Sequence, residues 1–195
     1  EFALAHEVLD VLSADADVAI VSDAGSPGIS DPGERLVAAA IEAGHTVSAI
    51  PGPSAATMAV TISGLPSGRH VMEGFLPRKG RERAARIAEV ATETRTVVLY
   101  EAPHRIERTL ADLSAACGPD RPVSISRELT KLHEETIRGT LGTIKIGEPR
   151  GEYVIVLGGA SVDSVPVSDD EVLRALRDSI AGGASKRDAA AQVAA

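Results

Sequence analysis

The chain has 195 residues, long for one domain and short for two full-sized ones, and its 44% hydrophobic and 25% charged residues are ordinary for a globular protein. No apolar run approaches the length of a membrane span, and one cysteine, Cys117, excludes a disulfide scaffold and a cysteine-rich zinc site. A net charge of −8 argues against uniform nucleic-acid binding, and only Phe2, Phe75, Tyr100 and Tyr153 are aromatic, too few for a base-stacking platform.

The opening EFALAHEVLD reads as an amphipathic helix with no basic leader, so a cytoplasmic chain without a signal peptide is expected. Asp17–Ser22 (DVAIVS) is a short β-branched run, predicted as a buried parallel strand. After the loop DAGSPGISDPGE, a helix is expected over 32–43, with Asp31 as N-cap, Pro32 at the first position, Glu34 at the third and Gly44 as the stop. His45–Ile50 is the next predicted strand. Pro51-Gly52-Pro53 turns, Ser54 caps a helix to about Ser63, and Gly64 and Pro66 close it. This βαβα order predicts a parallel sheet with helical crossovers.

A break follows at Pro66–Pro77. Strand-like His70–Phe75 leads through Pro77 into a basic helix at 80–91. Thr96–Tyr100 is another buried strand, and a helix from Pro103 to about Ala116 ends at Gly118-Pro119. Pro122–Arg127, Glu135–Arg138 and Glu152–Leu157 are three further predicted strands. Residues 161–168 read as a polar linker before two short helices, Asp169–Ile180 and Lys186–Val193. The organisation expected is an N-terminal α/β domain over 1–76, a second α/β domain over 77–160, and a linker with a helical extension over 161–195.

Charge is distributed unevenly. Residues 1–77 hold ten acids and two bases, whereas 78–160 hold twelve acids and fourteen bases. Arg78, Lys79, Arg81, Arg83 and Arg86 face a single acid, Glu82, a pattern that tracks phosphates or simply covers a solvated helix face.

Four loops at predicted strand ends carry the chemistry. In open parallel sheets ligands sit at the C-terminal strand ends. The loop Asp23–Gly33 has Gly25, Gly28 and Gly33 for close backbone approach, and carboxylates suited to a cation or a ribose hydroxyl. It has neither P-loop nor G-x-G-x-x-G spacing. PGPSA (Pro51–Ala55) occupies the equivalent place after the next strand, with Ser54 as a ligand contact or a helix cap. Tyr100-Glu101-Ala102-Pro103-His104-Arg105 and Arg127–Glu135 gather ionisable groups after two more strands. No HExxH spacing or G-x-S-x-G elbow appears, so neither a zinc site nor a serine hydrolase is expected, and no metal site is assigned.

VSDAGSPGISDPG, PGPSA, EGFLPRKG, YEAPHR, RELTKLHEE, RGTL and GEYVIV, in this order, resemble the bacterial small-subunit ribosomal RNA (cytidine-2′-O)-methyltransferases of the tetrapyrrole methylase superfamily. The resemblance runs from about Asp17 to Ala160, and the tail ASKRDAAAQVA is similar to that family's helical extension. YEAPHR and RELTKLHEE point to the RNA enzymes within the superfamily. The resemblance implies two α/β domains with a cleft between them for S-adenosylmethionine, a cytidine 2′-hydroxyl as substrate, and a homodimer that docks on the small ribosomal subunit. It places the cofactor against Asp23, Gly25, Pro27, Ile29, Ser54, Ala55, Tyr100, Glu101 and Glu128. The family's first strand and glycine- and proline-containing cofactor loop precede the point where this sequence begins. The segment between Arg138 and Gly151 is shorter than the family's, and Ser26 replaces its usual threonine, keeping the hydroxyl.

For methyl transfer to a ribose oxygen the candidates for proton acceptor or charge stabiliser are Glu101, His104, Glu128, Lys131 and His133. Glu101 or Glu128 is expected to orient the hydroxyl or the cofactor, and Lys131 or Arg105 to hold the RNA backbone or the developing alkoxide. Arg78, Lys79, Arg81, Arg83, Arg86 and Arg105 are the expected RNA contacts. A relative acting on a tetrapyrrole or on a protein side chain, which has no need of the basic helix, is one alternative. A non-catalytic nucleotide- or ribosome-binding module is the other.

Overall fold

A computed structural model describes residues 2–22, 25–161, 169–183 and 185–186. Two compact units are present, residues 1–160 and 161–195. In the first, the elements in chain order are α1 (Phe2–Ser13), α2 (Glu34–Glu42), α3 (Ala55–Ser63), β1 (His70–Phe75), α4 (Gly80–Thr92), β2 (Thr96–Glu101), α5 (Ile106–Cys117), β3 (Pro122–Arg127), β4 (Glu135–Thr140) and β5 (Tyr153–Leu157). The second unit contributes α6 (Asp169–Ala181), on which Leu173 and Ile180, two turns apart, are exposed. The expected helix Lys186–Val193 lies almost wholly outside the described residues.

The five strands form one sheet in the order β1-β2-β5-β3-β4. Only β1 and β2 run parallel, joined by a crossover through α4; β5 is antiparallel to both β2 and β3, and β4 to β3. Alternation along the strands builds two cores. Val97, Leu99, Val123, Ile125, Ile155 and Leu157 meet Ile87 and Val90 of α4 and Ile106, Leu110 and Leu113 of α5. On the opposite face Val98, Val154 and Val156 meet Ala59 and Val60 of α3, whose small side chains let that helix lie close to the sheet. The result is three layers, α4 and α5 over the sheet and α3 beneath it.

The α/β class and the five strands from residue 70 onward match the sequence. Three local expectations do not. Residues 17–22 and 45–50 run without ladder partners among the described residues, and Val21 and Ile50 are 85% and 93% exposed. A β-branched run favours extension locally, but a strand also needs a hydrogen-bonded neighbour. Helix α2 begins at Glu34 behind Gly33, whose φ of 136° suits glycine alone, and Gly33 replaces Asp31 as the N-cap. Pro103 lies in a turn, and α5 starts three residues later at Ile106.

Candidate active site

Strand direction brings the predicted loops together. Parallel pairing puts the C-terminal ends of β1 and β2 side by side, with Phe75 opposite Tyr100. Antiparallel pairing sets Glu101 against Tyr153, Tyr153 against Arg127, and Arg127 against Glu135. The loops after β1, β2 and β3 and the segment before β5 therefore share one end of the sheet. The segments EGFLPRKG, YEAPHR, RELTKLHEE and GEYV meet there.

Two N-terminal segments join them. Helix α3 begins beneath this end. Ser54 caps it, its hydroxyl accepting from the Thr57 N–H at 3.5 Å, and Ala55 and Ala56 pack in the same cluster as Tyr100 and Leu129. The Tyr100 ring stacks obliquely on Phe75 at 5.6 Å. Burial pushes the Tyr100 phenol above its ordinary value; a hydrogen bond with the Ala56 backbone opposes the shift and Glu152 adds to it. The glycine loop docks against β1. A β-bulge falls between Met72 and Gly74, and a Cβ on Gly74 (φ 72°) would lie 2.9 Å from the Ser30 hydroxyl. In that loop Gly25 faces open space, Pro27 is half-buried and Ile29 is 57% exposed. Asp23 lies outside the described residues.

Glu128 sits at the start of the β3–β4 loop with φ 49°, a strained left-handed position. Its carboxylate packs over Gly151, where a Cβ would approach Glu128 Oε1 to 2.5 Å. Lys131 Nζ donates to Glu128 Oε1 at 3.1 Å, and the Thr130 N–H donates to the Glu134 carboxylate at 2.6 Å, folding the loop on itself. His133 is exposed at the same loop, and His104 is exposed after β2.

Glu101 is fully buried. One carboxylate oxygen accepts from the Ala102 N–H at 2.9 Å and lies 3.1 Å from Arg105 Nε; the other accepts from the Thr109 hydroxyl at 2.6 Å. Arg105 also donates to the Leu76 carbonyl at 2.6 Å, tying the loop after β2 to the loop after β1. Arg83 is 4% exposed and donates to Asp112 at 2.7 and 3.0 Å, to Thr109 at 3.0 Å and to the Pro77 carbonyl at 3.1 Å. Four of its five N–H groups are used inside the fold, unlike the rest of its basic run. Arg78, Lys79 and Arg81 are exposed and unpaired among the described residues, and Arg86 pairs with Glu73 and Glu89. The sequence reading missed Thr109 and Asp112. Their spacing from Arg105, four and seven residues, marks one face of a helix and was the available signal.

Among the described residues no group of three or more His, Cys, Asp or Glu is placed to hold a metal ion, and no helix is long and apolar enough to cross a membrane.

The family profile of the tetrapyrrole (corrin/porphyrin) methylases matches residues 3–145. Proteins named ribosomal RNA small subunit methyltransferase I are similar over nearly the whole chain. The one from Synechocystis sp. is 45% identical over 194 residues, covering 97% of this chain and 70% of that protein. The chain belongs to the ribosomal RNA small subunit methyltransferase I family of tetrapyrrole methylases. The family member from Mycobacterium tuberculosis (strain CDC 1551 / Oshkosh) is 46% identical over 191 residues, 96% of this chain. The chain spans 66% of that relative's length. Solved structures share the methylase fold. The methyltransferase CobJ aligns with TM-score 0.63 at 22% identity, over 80% of this chain and 70% of that one. The uroporphyrin-III C-methyltransferase of Thermus thermophilus, complexed with S-adenyl homocysteine, aligns with TM-score 0.52 at 17% identity, over 84% and 74%.

Proposed function

We propose that this methylase-family chain transfers a methyl group from S-adenosylmethionine to the 2′-hydroxyl of a cytidine in small-subunit ribosomal RNA. The observation that carries the reading is the convergence of the glycine loop, the start of α3 and the loops after β1, β2 and β3 at one sheet end. The residues there suit the cofactor. Gly25, beside open space, and Gly28, both at positive φ, leave backbone accessible to a ribose or an amino-acid group. The first N–H groups of α3 suit a carboxylate, while Pro27, Ile29, Ala55 and Tyr100 give an apolar wall. Asp23 is assigned to the same site by resemblance alone.

Bound S-adenosylmethionine supplies an electrophilic methyl group, and the chain must hold the ribose oxygen in line with it at about 3 Å. Glu128, with Lys131 3.1 Å away, sets a proton acceptor beside a cation, the pairing that a weak hydroxyl nucleophile and its developing alkoxide need. His133, exposed on the same loop, is the second candidate to move the proton. Glu101 acts differently from either: its buried carboxylate fixes the turn that presents Tyr100 and Arg105. Arg78, Lys79, Arg81 and Arg86 contact phosphates from the open surface, with the half-buried Arg105 behind them; Arg83, 4% exposed, has no place on that open surface. We further assign residues 1–76 to cofactor binding and 77–160 to the second domain, with a homodimer as the working form and the cytoplasm, where small subunits assemble, as its place.

The test is transfer of label from methyl-tritiated S-adenosylmethionine to purified small subunits, followed by digestion to nucleosides. Label in 2′-O-methylcytidine, lost in Glu128→Gln or Lys131→Ala, supports the reading. Label on a base, or turnover that survives every change at Glu128, Lys131 and His133, refutes it.

A further inference from the structure

A pocket of about 300 Å³ opens on the α4–α5 side of the sheet end, lined by Arg78, Arg83, His104, Arg105, Arg108 and Thr109. It is at the small end of the range for ligand sites. Four guanidiniums face it, and the carboxylates paired with them are Glu101 and Asp112. Positive charge is therefore in excess. The floor is rigid: Arg83 is held by Asp112, Thr109 and Pro77, and Arg105 by Glu101 and Leu76. A guanidinium has five N–H groups. Hydrogen bonds occupy four N–H groups on Arg83 and one on Arg105, whose Nε also contacts Glu101, so among the described residues Arg83 keeps one N–H group and Arg105 at least three for a ligand. Arg78 and His104 have no hydrogen bond or ion pair among the described residues, and Arg108, 64% exposed, has only a 3.8 Å contact with Asp112. The first turn of α5 opens beside it, adding the positive end of a helix dipole.

We propose that this pocket is a phosphate-binding subsite that takes one backbone phosphate of the RNA substrate. It rests on the RNA-methyltransferase reading. Several guanidiniums converging from α4, α5 and their preceding loops suit a tetrahedral oxyanion, which accepts N–H bonds from more than one direction. Strand β2 ends with Tyr100 and Glu101, Tyr100 on the cofactor side, and the loop that follows carries His104 and Arg105 on the pocket side. A phosphate seated in the pocket would thereby fix the RNA strand relative to the reacting ribose.

The test uses the double variant Arg78→Ala/Arg108→Ala, both exposed positions, with Arg95→Ala at the opposite end of the sheet as a charge control. RNA affinity is measured against salt concentration, and inorganic phosphate is titrated while the His104 ring protons are followed by NMR. The proposal predicts RNA affinity about tenfold weaker at low salt and a log–log salt slope shallower by about 1, with the control unchanged. It also predicts that inorganic phosphate shifts the His104 signals in the wild type only. An unchanged slope, or an equal loss in the control, overturns the proposal. A phosphate response that disappears in the variant while RNA affinity does not change also overturns it, because the pocket then takes free phosphate. Failure of the underlying reading looks different: the wild type would methylate no small subunits, whatever its phosphate response.

Discussion

Arg83 and Arg81 lie two residues apart on one helix and have opposite surroundings, so replacing each with methionine separates a fold-holding arginine from a surface one. Arg83→Met keeps the aliphatic packing and removes four hydrogen bonds, two of them to Asp112. Breaking one side of a buried ion pair costs about 3–5 kcal/mol. Asp112 is 36% exposed and regains water, which lowers the expected loss to about 2–3 kcal/mol. For a chain of this size that is a fall in melting temperature of about 4–12 °C. Arg81→Met should stay within about 0.5 kcal/mol of the parent. Urea unfolding of the two variants, with Asp112→Leu and the double variant Arg83→Met/Asp112→Leu to close the cycle, measures this. The double variant should recover about 1 kcal/mol or more, because no carboxylate is left unpaired. A loss below about 0.5 kcal/mol for Arg83→Met, or equal losses at both positions, would refute the reasoning.

Gly74→Ala places a Cβ at φ 72° and 2.9 Å from the Ser30 hydroxyl, so it should cost about 1–3 kcal/mol and weaken S-adenosylmethionine binding by displacing the glycine loop. Adding Ser30→Gly should restore part of both, since it removes the clash and leaves the backbone strain. The Tyr100 phenol should ionise late in a spectrophotometric titration, and Tyr100→Phe should remove that step. Its folded-state value is raised, so the stability it contributes is complete below pH 10 and is lost as pH rises through the folded value. A tyrosine ionising at or below its ordinary value would contradict the burial at this site. Ser54→Ala removes a long 3.5 Å cap and should cost about 0.5–1 kcal/mol in thermal unfolding; no loss would mean that water serves the start of α3 as well.

Much of the fold was legible where local pattern and tertiary context agree. The β-branched runs from Thr96, Pro122 and Tyr153 are buried on both faces between helices, so continuous apolar character sufficed to find them. The run at 17–22 carries the same local signal and has no paired neighbour, which no single segment reports about itself. The site loops were legible because glycine, proline and ionisable residues crowd after strand ends. Which charged residues are available was not: Arg83 and Arg81 read alike along the chain. Only the packing of α4 on α5 makes one a buried partner of Asp112 and leaves the other in water. Glu101 was singled out for chemistry, yet Arg105, the N-cap of α5, and Thr109, one turn into it, hold it inside the fold.

The central claim is that the loops at this sheet end bind S-adenosylmethionine. Calorimetric titration of S-adenosylmethionine into the chain, beside the Gly74→Ala variant, tests it most directly. The account predicts one site per chain with micromolar affinity, weakened severalfold or more in the variant. No heat of binding at millimolar cofactor, or an affinity indifferent to Gly74, would contradict it.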